Sequence, residues 1–201
     1  MGENNVKEIK CESIEDFIKK ISYKGELYGL NNWKYIYRGE SSDQYELIPS
    51  ALREQNQESL VNVVKNYFEH DDNLKENSEY FQIIAEYISL HEFYMLSDYR
   101  GLHVPNINDF RKKLIGEIDI YSILKPYFTW LPLKYIEIAG LAQHYGVYTR
   151  LLDWSRDINV AIYFAISGLM KLKKTEKPEN IVLWVLNLNS AALLLIKSTS
   201  A

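Results

Sequence analysis

Apolar residues recur along the chain at two spacings, and each spacing predicts its own kind of element. A spacing of three to four residues, typical of an amphipathic helix, first appears at Phe17 and Ile21. Ser13 and Asp16 precede this stripe at the separation of a capping box. The pattern therefore predicts a first helix that begins after Ser13 and ends near Gly25.

Helical spacing also dominates the middle of the chain. From about Glu58 to Leu114 it forms two apolar stripes that predict long helices, and Gly101 and Pro105 break the second one. The stripes are Leu60, Val63, Val64, Tyr67 and Phe68, and then Phe81, Ile84, Ala85 and Ile88. A further helix is predicted over about 131–145, because Pro132 suits its first turn and Gly146 its end.

The last predicted helix follows Ser155 or Asp157, either of which can cap it. Small and large apolar residues share one face of this helix, and this face is predicted to pack on the rest of the fold. These residues are Val160, Ala161, Phe164, Ala165, Gly168 and Leu169.

Strand patterns are fewer. Residues 33–37 alternate and stop at Arg38, which predicts a short strand, and the unbroken apolar run at 181–186 predicts a buried central strand. A third strand is an option at 150–152, whereas the apolar run at 191–196 is short. We therefore expect a helix-rich α+β fold with a small sheet, formed by a single domain over residues 1–201 without internal repeats.

Composition narrows the class of protein. With 201 residues, 47% hydrophobic and 13% aromatic, the chain can bury a core and is not expected to be disordered. Cys11 is the one cysteine, which excludes an intramolecular disulfide and favours a reducing, cytoplasmic location. A net charge of −4 argues against nucleic acid as a partner, and no apolar run reaches the length of a membrane helix.

Common catalytic and nucleotide-binding motifs are missing from the sequence. It contains no phosphate-binding loop, no dinucleotide-binding glycine pattern, no paired histidines of a zinc protease and no nucleophile elbow. Its four histidines do not stand at metal-ligand spacing. We therefore expect no metal site.

Two segments combine charged and aromatic residues where a plain core would use aliphatic ones. In the first, residues 35–40, a tyrosine-rich strand carries Arg38, while Gly39 lets the backbone turn or approach another group closely. Glu40 follows, either as a catalytic acid or base or as an exposed turn carboxylate. The segment is a candidate ligand site.

The second segment, residues 141–155, runs from the end of one helix to the start of the next. The amides at the start of a helix attract anions, and Arg150 lies upstream of the helix that follows Asp153. We expect this helix end, Arg38 and Arg150 to form one positively charged hollow for a phosphate or pyrophosphate. His144, Tyr145 and Tyr148 would then flank a ribose or a base.

Structural explanations compete with each of these assignments. Arg38 and Asp153 can instead form a partly buried salt bridge that only braces the fold. His144 stands in the last turn of a helix, where the dipole favours a cation in any case. Trp154 and Phe164 are predicted core residues.

Taken together, the two segments resemble the FRG domain family, named for a Phe-Arg-Gly motif and found in bacterial and phage proteins, often in phage defence. The resemblance rests on Tyr-Arg-Gly at 37–39, Gln-His-Tyr-Gly at 143–146 and Thr-Arg-Leu-Leu-Asp-Trp at 149–154, within a motif-bearing core of about 33–186. Tyr37, Glu40 and Tyr148 depart from the usual residues. The family continues into a further motif after the strand at 181–186. We therefore expect either a C-terminally incomplete form of the fold or one in which the C-terminal strands are supplied or dispensed with in another way.

The order of these motifs is also similar to that of arginine-type ADP-ribosyltransferases. That likeness implies that Arg38 holds NAD and that Thr149 takes the place of a Ser/Thr motif residue. It supplies no counterpart for the usual C-terminal glutamate. Cleavage of a glycosidic bond needs a carboxylate near the ribose, and only Glu40 or Asp153 offers one in the matched motifs.

The function predicted from the sequence is therefore a phage-defence or toxin-like effector with an anion or nucleotide site. Its ligand-binding residues would be Arg38, Gly39, His144, Tyr145, Tyr148, Thr149 and Arg150. NAD is a candidate substrate rather than a bound cofactor, and enzymatic activity stays open. The alternative is a noncatalytic sensor or protein-interaction module, because tyrosine and arginine dominate binding hot spots.

Overall fold

The computed structural model describes residues 6–67, 79–112, 130–172 and 178–199. Within them the chain has the predicted helix-rich α+β architecture. The elements are β1 (Val6–Cys11), α1 (Ile14–Ile21), β2 (Tyr35–Glu40), α2 (Glu54–Tyr67), α3 (Glu79–Tyr99), α4 (Asn108–Lys112), α5 (Ile136–His144), α6 (Ile158–Lys171), β3 (Asn180–Asn187) and β4 (Leu193–Thr199).

The chain divides into two compact units. The first unit combines Met1–Leu47 with Asp153–Ala201, and the second unit is the stretch Ile48–Leu152 between them. Each has its own buried apolar cluster. The expectation of one domain over the whole chain stays a prediction.

The first unit contains a mixed four-stranded sheet in the order β1-β4-β3-β2. β1 and β4 are parallel, and the other neighbours are antiparallel. β3 lies in the interior of the sheet, so the prediction of a central strand at 181–186 is confirmed. β2 extends through Arg38 to Glu40, beyond its predicted end.

Two details of the predicted sheet are wrong. Residues 150–152 do not form a strand. Close to them, Ser155 forms an isolated antiparallel β-bridge with Tyr37. Two strands, β1 and β4, were not assigned from the sequence. The sheet is therefore larger than the sequence pattern indicated.

Helix α1 begins as the capping residues predict. The Ser13 hydroxyl accepts a hydrogen bond from the Asp16 amide at 3.1 Å, and the Asp16 carboxylate accepts one from the Glu12 amide at 3.1 Å. The helix ends at Ile21, earlier than the predicted end near Gly25.

One face of the sheet carries the core of the first unit. The buried side chains on it include Tyr37 of β2, Leu183 and Val185 of β3 and Ile196 of β4, and each of them is less than 4% exposed. Because side chains alternate along a strand, Arg38 and Glu40 of β2 point to the opposite face. The strand thus separates packing residues from charged ones.

Helix α6 packs on the core face and is capped by Asp157, one of the two predicted caps. The Asp157 carboxylate accepts hydrogen bonds from the Asn159 amide and side chain. Its buried positions are Ile158, Ala161, Ala165 and Leu169. The predicted packing face was too wide, because Phe164 is 61% exposed and Val160 is also exposed.

The second unit is helical in its described residues. α3 is buried along most of its length and packs against α2 and α5. Aromatic rings of Tyr87, Phe110 and Tyr135 meet in its core at centroid distances of 4.7 to 5.5 Å. The predicted break after α3 is confirmed at Gly101, whereas the predicted helix end at Leu114 lies outside the described residues.

The helices of the described ranges include none that is both long enough and apolar enough to cross a membrane.

Candidate functional site

Arg38 is held at two of its nitrogens within the first unit. Its Nε lies 2.7 Å from Oε1 of Glu40, and its Nη1 donates to the backbone carbonyl of Asp153 at 2.9 Å. The two side chains are 18% and 16% exposed. Glu40 is therefore a paired carboxylate within a strand, and its interpretation as an exposed turn residue was wrong.

Arg38 and Asp153 are in contact as predicted, because the Arg38 guanidinium donates to the Asp153 backbone carbonyl. The chain after Asp153 is further tied to β2, because Tyr37 and Ser155 exchange two backbone hydrogen bonds of 2.8 Å. This segment thereby fixes both the position of β2 and the direction of the Arg38 side chain.

Gly39 is explained by a close approach between β2 and α6. A Cβ at this position would lie 1.8 Å from the Ala161 carbonyl oxygen, far inside van der Waals distance. Glycine is therefore needed for helix and strand to pack, whatever binds at Arg38.

Trp184 lies directly opposite Arg38 on the neighbouring strand. Side chains of such a cross-strand pair leave the same face of the sheet with Cβ atoms about 4.5 to 5.5 Å apart. The indole Nε1 of Trp184 is buried and has no acceptor among the residues that the structure describes. Sequence analysis missed this donor, although a tryptophan in an aliphatic strand was a visible signal.

In the second unit, the Gln-His-Tyr-Gly motif forms the end of α5. The Gly146 amide bonds to the Gln143 carbonyl and the Val147 amide to the Ala142 carbonyl, both at 3.1 Å, which is the Schellman arrangement. Gly146 has a φ of +89°, a conformation that favours glycine. The motif glycine therefore has a backbone role.

Thr149 connects this helix end to the start of the second unit. Its hydroxyl donates to the Gln143 side chain, its amide donates to the Ser50 hydroxyl at 3.0 Å, and its carbonyl accepts from the Ala51 amide at 3.1 Å. Thr149 is 1% exposed. Its described contacts are those of a brace.

Arg150 forms a buried ion pair with Glu86 of α3. The Arg150 Nε lies 2.9 and 3.1 Å from the two carboxylate oxygens of Glu86, whose side chain is 1% exposed, and Nη1 bonds to Glu79. Trp130 and Gln82 also donate to Glu86. Sequence analysis missed Glu86, although a carboxylate within a helix that is apolar on most sides has to be buried.

Burial raises the pKa of Glu86 above its usual range, while the charge of Arg150 and the hydrogen bonds that Glu86 accepts oppose that rise. Burial alone would lower the pKa of Arg150, but its hydrogen bond to Glu79 and the charge of Glu86 outweigh it and raise the pKa. The guanidinium thus stays charged between two carboxylates. Its Nη2 is buried without an acceptor among the described residues.

The three predicted base or ribose contacts lie in the second unit. His144 and Tyr145 are exposed, and the Tyr145 ring lies 5.6 Å from that of Phe93. Tyr148 lines a cavity of about 990 Å³ together with Gly146, Val147 and residues of α2 and α3. Of these three residues, Tyr148 lines this cavity, whereas His144 and Tyr145 do not.

The shared hollow stays a prediction, because Arg38 belongs to the first unit and Arg150 to the second. The helix that was predicted to attract an anion starts at Ile158, five residues after Asp153, and the Asp157 carboxylate already accepts the Asn159 amide of its first turn. Groups of three or more His, Cys, Asp or Glu that suit a metal ion do not occur among the described residues.

The residues of the two motif segments thus have structural roles in a helix-rich α+β fold. They position strand β2, close helix α5 and form the ion pairs Arg38–Glu40 and Arg150–Glu86. A model of the FRG domain family matches residues 33–174, which is more than half of the chain. The chain belongs to the FRG domain family. Comparisons with curated proteins and with solved structures returned no match.

Proposed function

We propose that this FRG domain is the ligand-binding part of a phage-defence or toxin-like effector, and that Arg38 binds the phosphate of a nucleotide, with NAD as the leading candidate. The observation that carries the proposal is the pairing of Arg38 with Trp184 across two strands. The guanidinium is held by Glu40 and the Asp153 carbonyl, and the indole N–H of Trp184 is buried without an acceptor among the described residues.

The fixed guanidinium supports the proposal energetically. Glu40 and the Asp153 carbonyl restrict the Arg38 side chain before any ligand arrives, so less conformational entropy is lost on binding. No hydrogen bond of the described residues involves Nη2 of Arg38. The proposal assigns two donors to a phosphate oxygen, Nη2 of Arg38 and the indole of its cross-strand partner Trp184.

An unmade hydrogen bond at Trp184 also favours a ligand. A buried donor without a partner costs roughly 1 to 3 kcal/mol, and an acceptor that reaches it recovers this cost. A phosphate oxygen accepts from both an indole and a guanidinium, whereas an apolar ligand accepts from neither. The donor set thus selects an anion.

The same region would hold the carboxylates of an NAD-consuming reaction. Glu40 contacts the Arg38 guanidinium, and Asp153 contributes its backbone at the other side. In that reaction water adds to the ribose anomeric carbon, the bond to nicotinamide breaks, and ADP-ribose, nicotinamide and a proton are released. Glu40 is the proposed residue to stabilise the positive charge on the ribose.

Thermal unfolding in the presence of NAD, ATP and inorganic pyrophosphate tests the proposal. A ligand at a hundred times its dissociation constant stabilises the protein by about 2.7 kcal/mol, which raises Tm by several degrees. Arg38→Gln should lose this shift and Arg38→Lys should lose most of it, because lysine lacks the planar fork. The matched control is Arg100→Gln, an exposed arginine of the second unit.

The outcome separates binding from catalysis. A shift that Arg38→Gln abolishes, with nicotinamide released from NAD and lost in Glu40→Gln, supports an enzyme. A shift without release supports a nucleotide sensor. Equal shifts in wild type and Arg38→Gln, or none with any of the three ligands, contradict the proposed site.

A second candidate function, a protein-interaction module, is favoured by the outer face of α6. Its exposed apolar residues are Val160, Tyr163, Phe164 and Met170, between 41% and 77% exposed. Exposed aromatic and methionine side chains are enriched at protein interfaces. This function replaces the first under two conditions. No nucleotide stabilises the protein, and the single substitution Phe164→Ser changes how its sedimentation coefficient depends on protein concentration.

A further inference from the structure

The sheet of the first unit has two edge strands, β1 and β2, and the two edges differ in what lies against them. At β2, the Tyr37 backbone exchanges two hydrogen bonds of 2.8 Å with Ser155, which therefore occupies part of that edge. At β1, the backbone partners among the described residues belong to β4 on the inner side. The outer side of β1 thus offers backbone donors and acceptors to a further strand.

The outer side of β1 is accessible. Most residues of the strand are exposed, namely Val6, Lys7, Glu8 and Lys10. One side chain reaches its backbone, because Nζ of Lys20 donates to the Lys10 carbonyl at 3.4 Å. The same ammonium group pairs with Asp16 at the shorter distance of 2.9 Å. A backbone amide of an incoming strand can therefore replace the long contact while Lys20 keeps its carboxylate partner.

Charged residues on an edge strand usually prevent pairing, so the order of the charges on β1 decides which partner it accepts. Glu8 and Lys10 share the face of the sheet opposite the core, and Ile9 between them faces the core. This order is complementary to itself. When a second copy of β1 runs antiparallel with Ile9 opposite Ile9, Glu8 of each copy lies opposite Lys10 of the other.

Neighbouring registers lack this complementarity. A two-fold axis perpendicular to the sheet keeps the two core faces on one side, and it passes through a single position of β1. An axis at Glu8 places Glu8 opposite Glu8, and an axis at Lys7 or Lys10 places two lysines opposite each other. Like charges directly opposite are destabilising. Of these four central positions, Ile9 is the one that brings opposite charges together.

We propose that two copies of this chain pair through their β1 strands, antiparallel and centred on Ile9, to form one continuous eight-stranded sheet. Two Glu8–Lys10 pairs flank the centre. The two Ile9 side chains meet on the core face, where each already packs against the buried cluster of the first unit. Contact along one six-residue strand is small, so the association is weak and reversible.

The inference does not depend on the nucleotide site, because Arg38 and Trp184 lie on β2 and β3. It also differs from the protein-interaction function, which uses the outer face of α6. Phe164→Ser should therefore leave the pairing of two copies unchanged.

Sedimentation equilibrium of the full chain at increasing concentration tests the inference. The wild type should show a reversible monomer–dimer equilibrium. Glu8→Lys sets two lysines opposite each other, and Lys10→Glu sets two glutamates opposite each other, so each variant alone should associate about tenfold more weakly. Glu46→Lys and Lys34→Glu make the same charge changes at exposed residues outside β1, and they should associate as the wild type does.

An equal mixture of Glu8→Lys and Lys10→Glu gives the sharpest result. In the mixed dimer, both lysines of one copy lie opposite both glutamates of the other, so association should return to about the wild-type strength. A mixture of Glu46→Lys and Lys34→Glu has the same net charges, and it should associate no more tightly than either variant alone. Recovery in the first mixture only is expected from pairing at β1.

Cross-linking reads the register directly and does not require the charge variants to fold. In a Cys11→Ser background, Ile9→Cys sets two thiols directly opposite each other, with Cβ atoms about 4.5 to 5.5 Å apart. Glu8→Cys sets them diagonally, about 7 to 8 Å apart. Mild oxidation should therefore cross-link Ile9→Cys faster than Glu8→Cys.

Several results would overturn the inference. A wild-type chain that stays monomeric at millimolar concentration does not pair. Unchanged association in Glu8→Lys, or no recovery in its mixture with Lys10→Glu, shows that β1 is not the contact. Loss of association in Phe164→Ser but not in Glu8→Lys assigns it to α6. Equal cross-linking of Ile9→Cys and Glu8→Cys removes the proposed register.

Discussion

Gly39 shows how a single residue serves both the fold and the candidate site. Its missing side chain lets α6 approach β2 on one face of the strand. Arg38 and Glu40 flank it, and they reach the opposite face because strand side chains alternate. The Arg-Gly-Glu order therefore places a helix on one side of β2 and an ion pair on the other.

Replacing Gly39 by alanine should destabilise the first unit. The new Cβ would meet the Ala161 carbonyl, which belongs to helix backbone and cannot rotate away. Overpacking of this kind costs about 1 to 3 kcal/mol, and the contact with backbone puts Gly39→Ala at the upper end of this range. Urea denaturation measures the change in the free energy of unfolding.

The control is Gly29→Ala, because a Cβ at Gly29 has no atom within 4 Å. Its free energy of unfolding should match that of the wild type within about 0.5 kcal/mol. If Gly39→Ala is as stable as Gly29→Ala, α6 does not pack as closely on β2 as described here.

Some site residues could be found from the sequence and others could not. Arg38, Thr149 and Arg150 stand in short motifs, so their importance was visible. Glu86 lies in the middle of α3, and its pairing with Arg150 joins residues that are 64 positions apart. Nothing local in the sequence indicates which arginine a buried glutamate meets.

At the level of elements, the end of α5 explains the Gln-His-Tyr-Gly motif. Gly146 closes the helix in a left-handed conformation, and Val147 follows it back to the core. Gln143, about one helical turn before Gly146, accepts a hydrogen bond from the Thr149 hydroxyl through its side chain. The motif therefore fixes the direction of the chain that leads to Tyr148 and Arg150.

Two glycines of this region should respond to alanine in opposite directions. Gly146→Ala forces an alanine to φ near +89° and should cost about 1 to 2 kcal/mol. Gly140 lies inside α5 with no atom near its missing Cβ, so Gly140→Ala should add about 0.5 to 1 kcal/mol of stability. Thermal and urea unfolding of both variants measure these changes.

The test is whether the two substitutions change the free energy of unfolding in opposite directions. A Gly146→Ala variant as stable as Gly140→Ala would show that α5 does not end in a left-handed residue. The pair share the same helix and the same substitution, so effects on the unfolded chain largely cancel.

The strands show what sequence patterns reveal and what they hide. β3 was visible as an unbroken apolar run because it lies inside the sheet with half of its residues buried. β1 is an edge strand with exposed charged residues, and only Ile9 and Cys11 face the core. It pairs with β4 from the other end of the chain, a long-range contact that no local pattern predicts.

At the level of the whole molecule, the second unit is a continuous insertion whose two ends are joined. Ser50 and Ala51 near its start are hydrogen-bonded to Thr149 near its end. Its buried cluster is formed by its own residues. In the first unit, the bonds between Tyr37 and Ser155 join the two chain segments in the same way.

Residues 48–152 expressed alone should therefore fold. We expect a helical circular dichroism spectrum and cooperative thermal unfolding, because the fragment keeps its core and its closing hydrogen bonds. Ser50→Ala in the fragment should lower its Tm, since it removes a hydrogen-bond partner of the buried Thr149. A fragment without a cooperative transition would show that the second unit depends on the rest of the chain, as a single domain requires.

The most direct test of the account concerns the indole of Trp184. The sequence contains four tryptophans, so a nitrogen-15 correlation spectrum shows at most four indole N–H signals, and Trp184→Phe identifies the one in question. Adding NAD or pyrophosphate should shift the Trp184 signal downfield in a saturable manner in wild type and leave it unchanged in Arg38→Gln. A Trp184 signal that does not respond to any of these anions, or that shifts equally without Arg38, would contradict the proposed anion site.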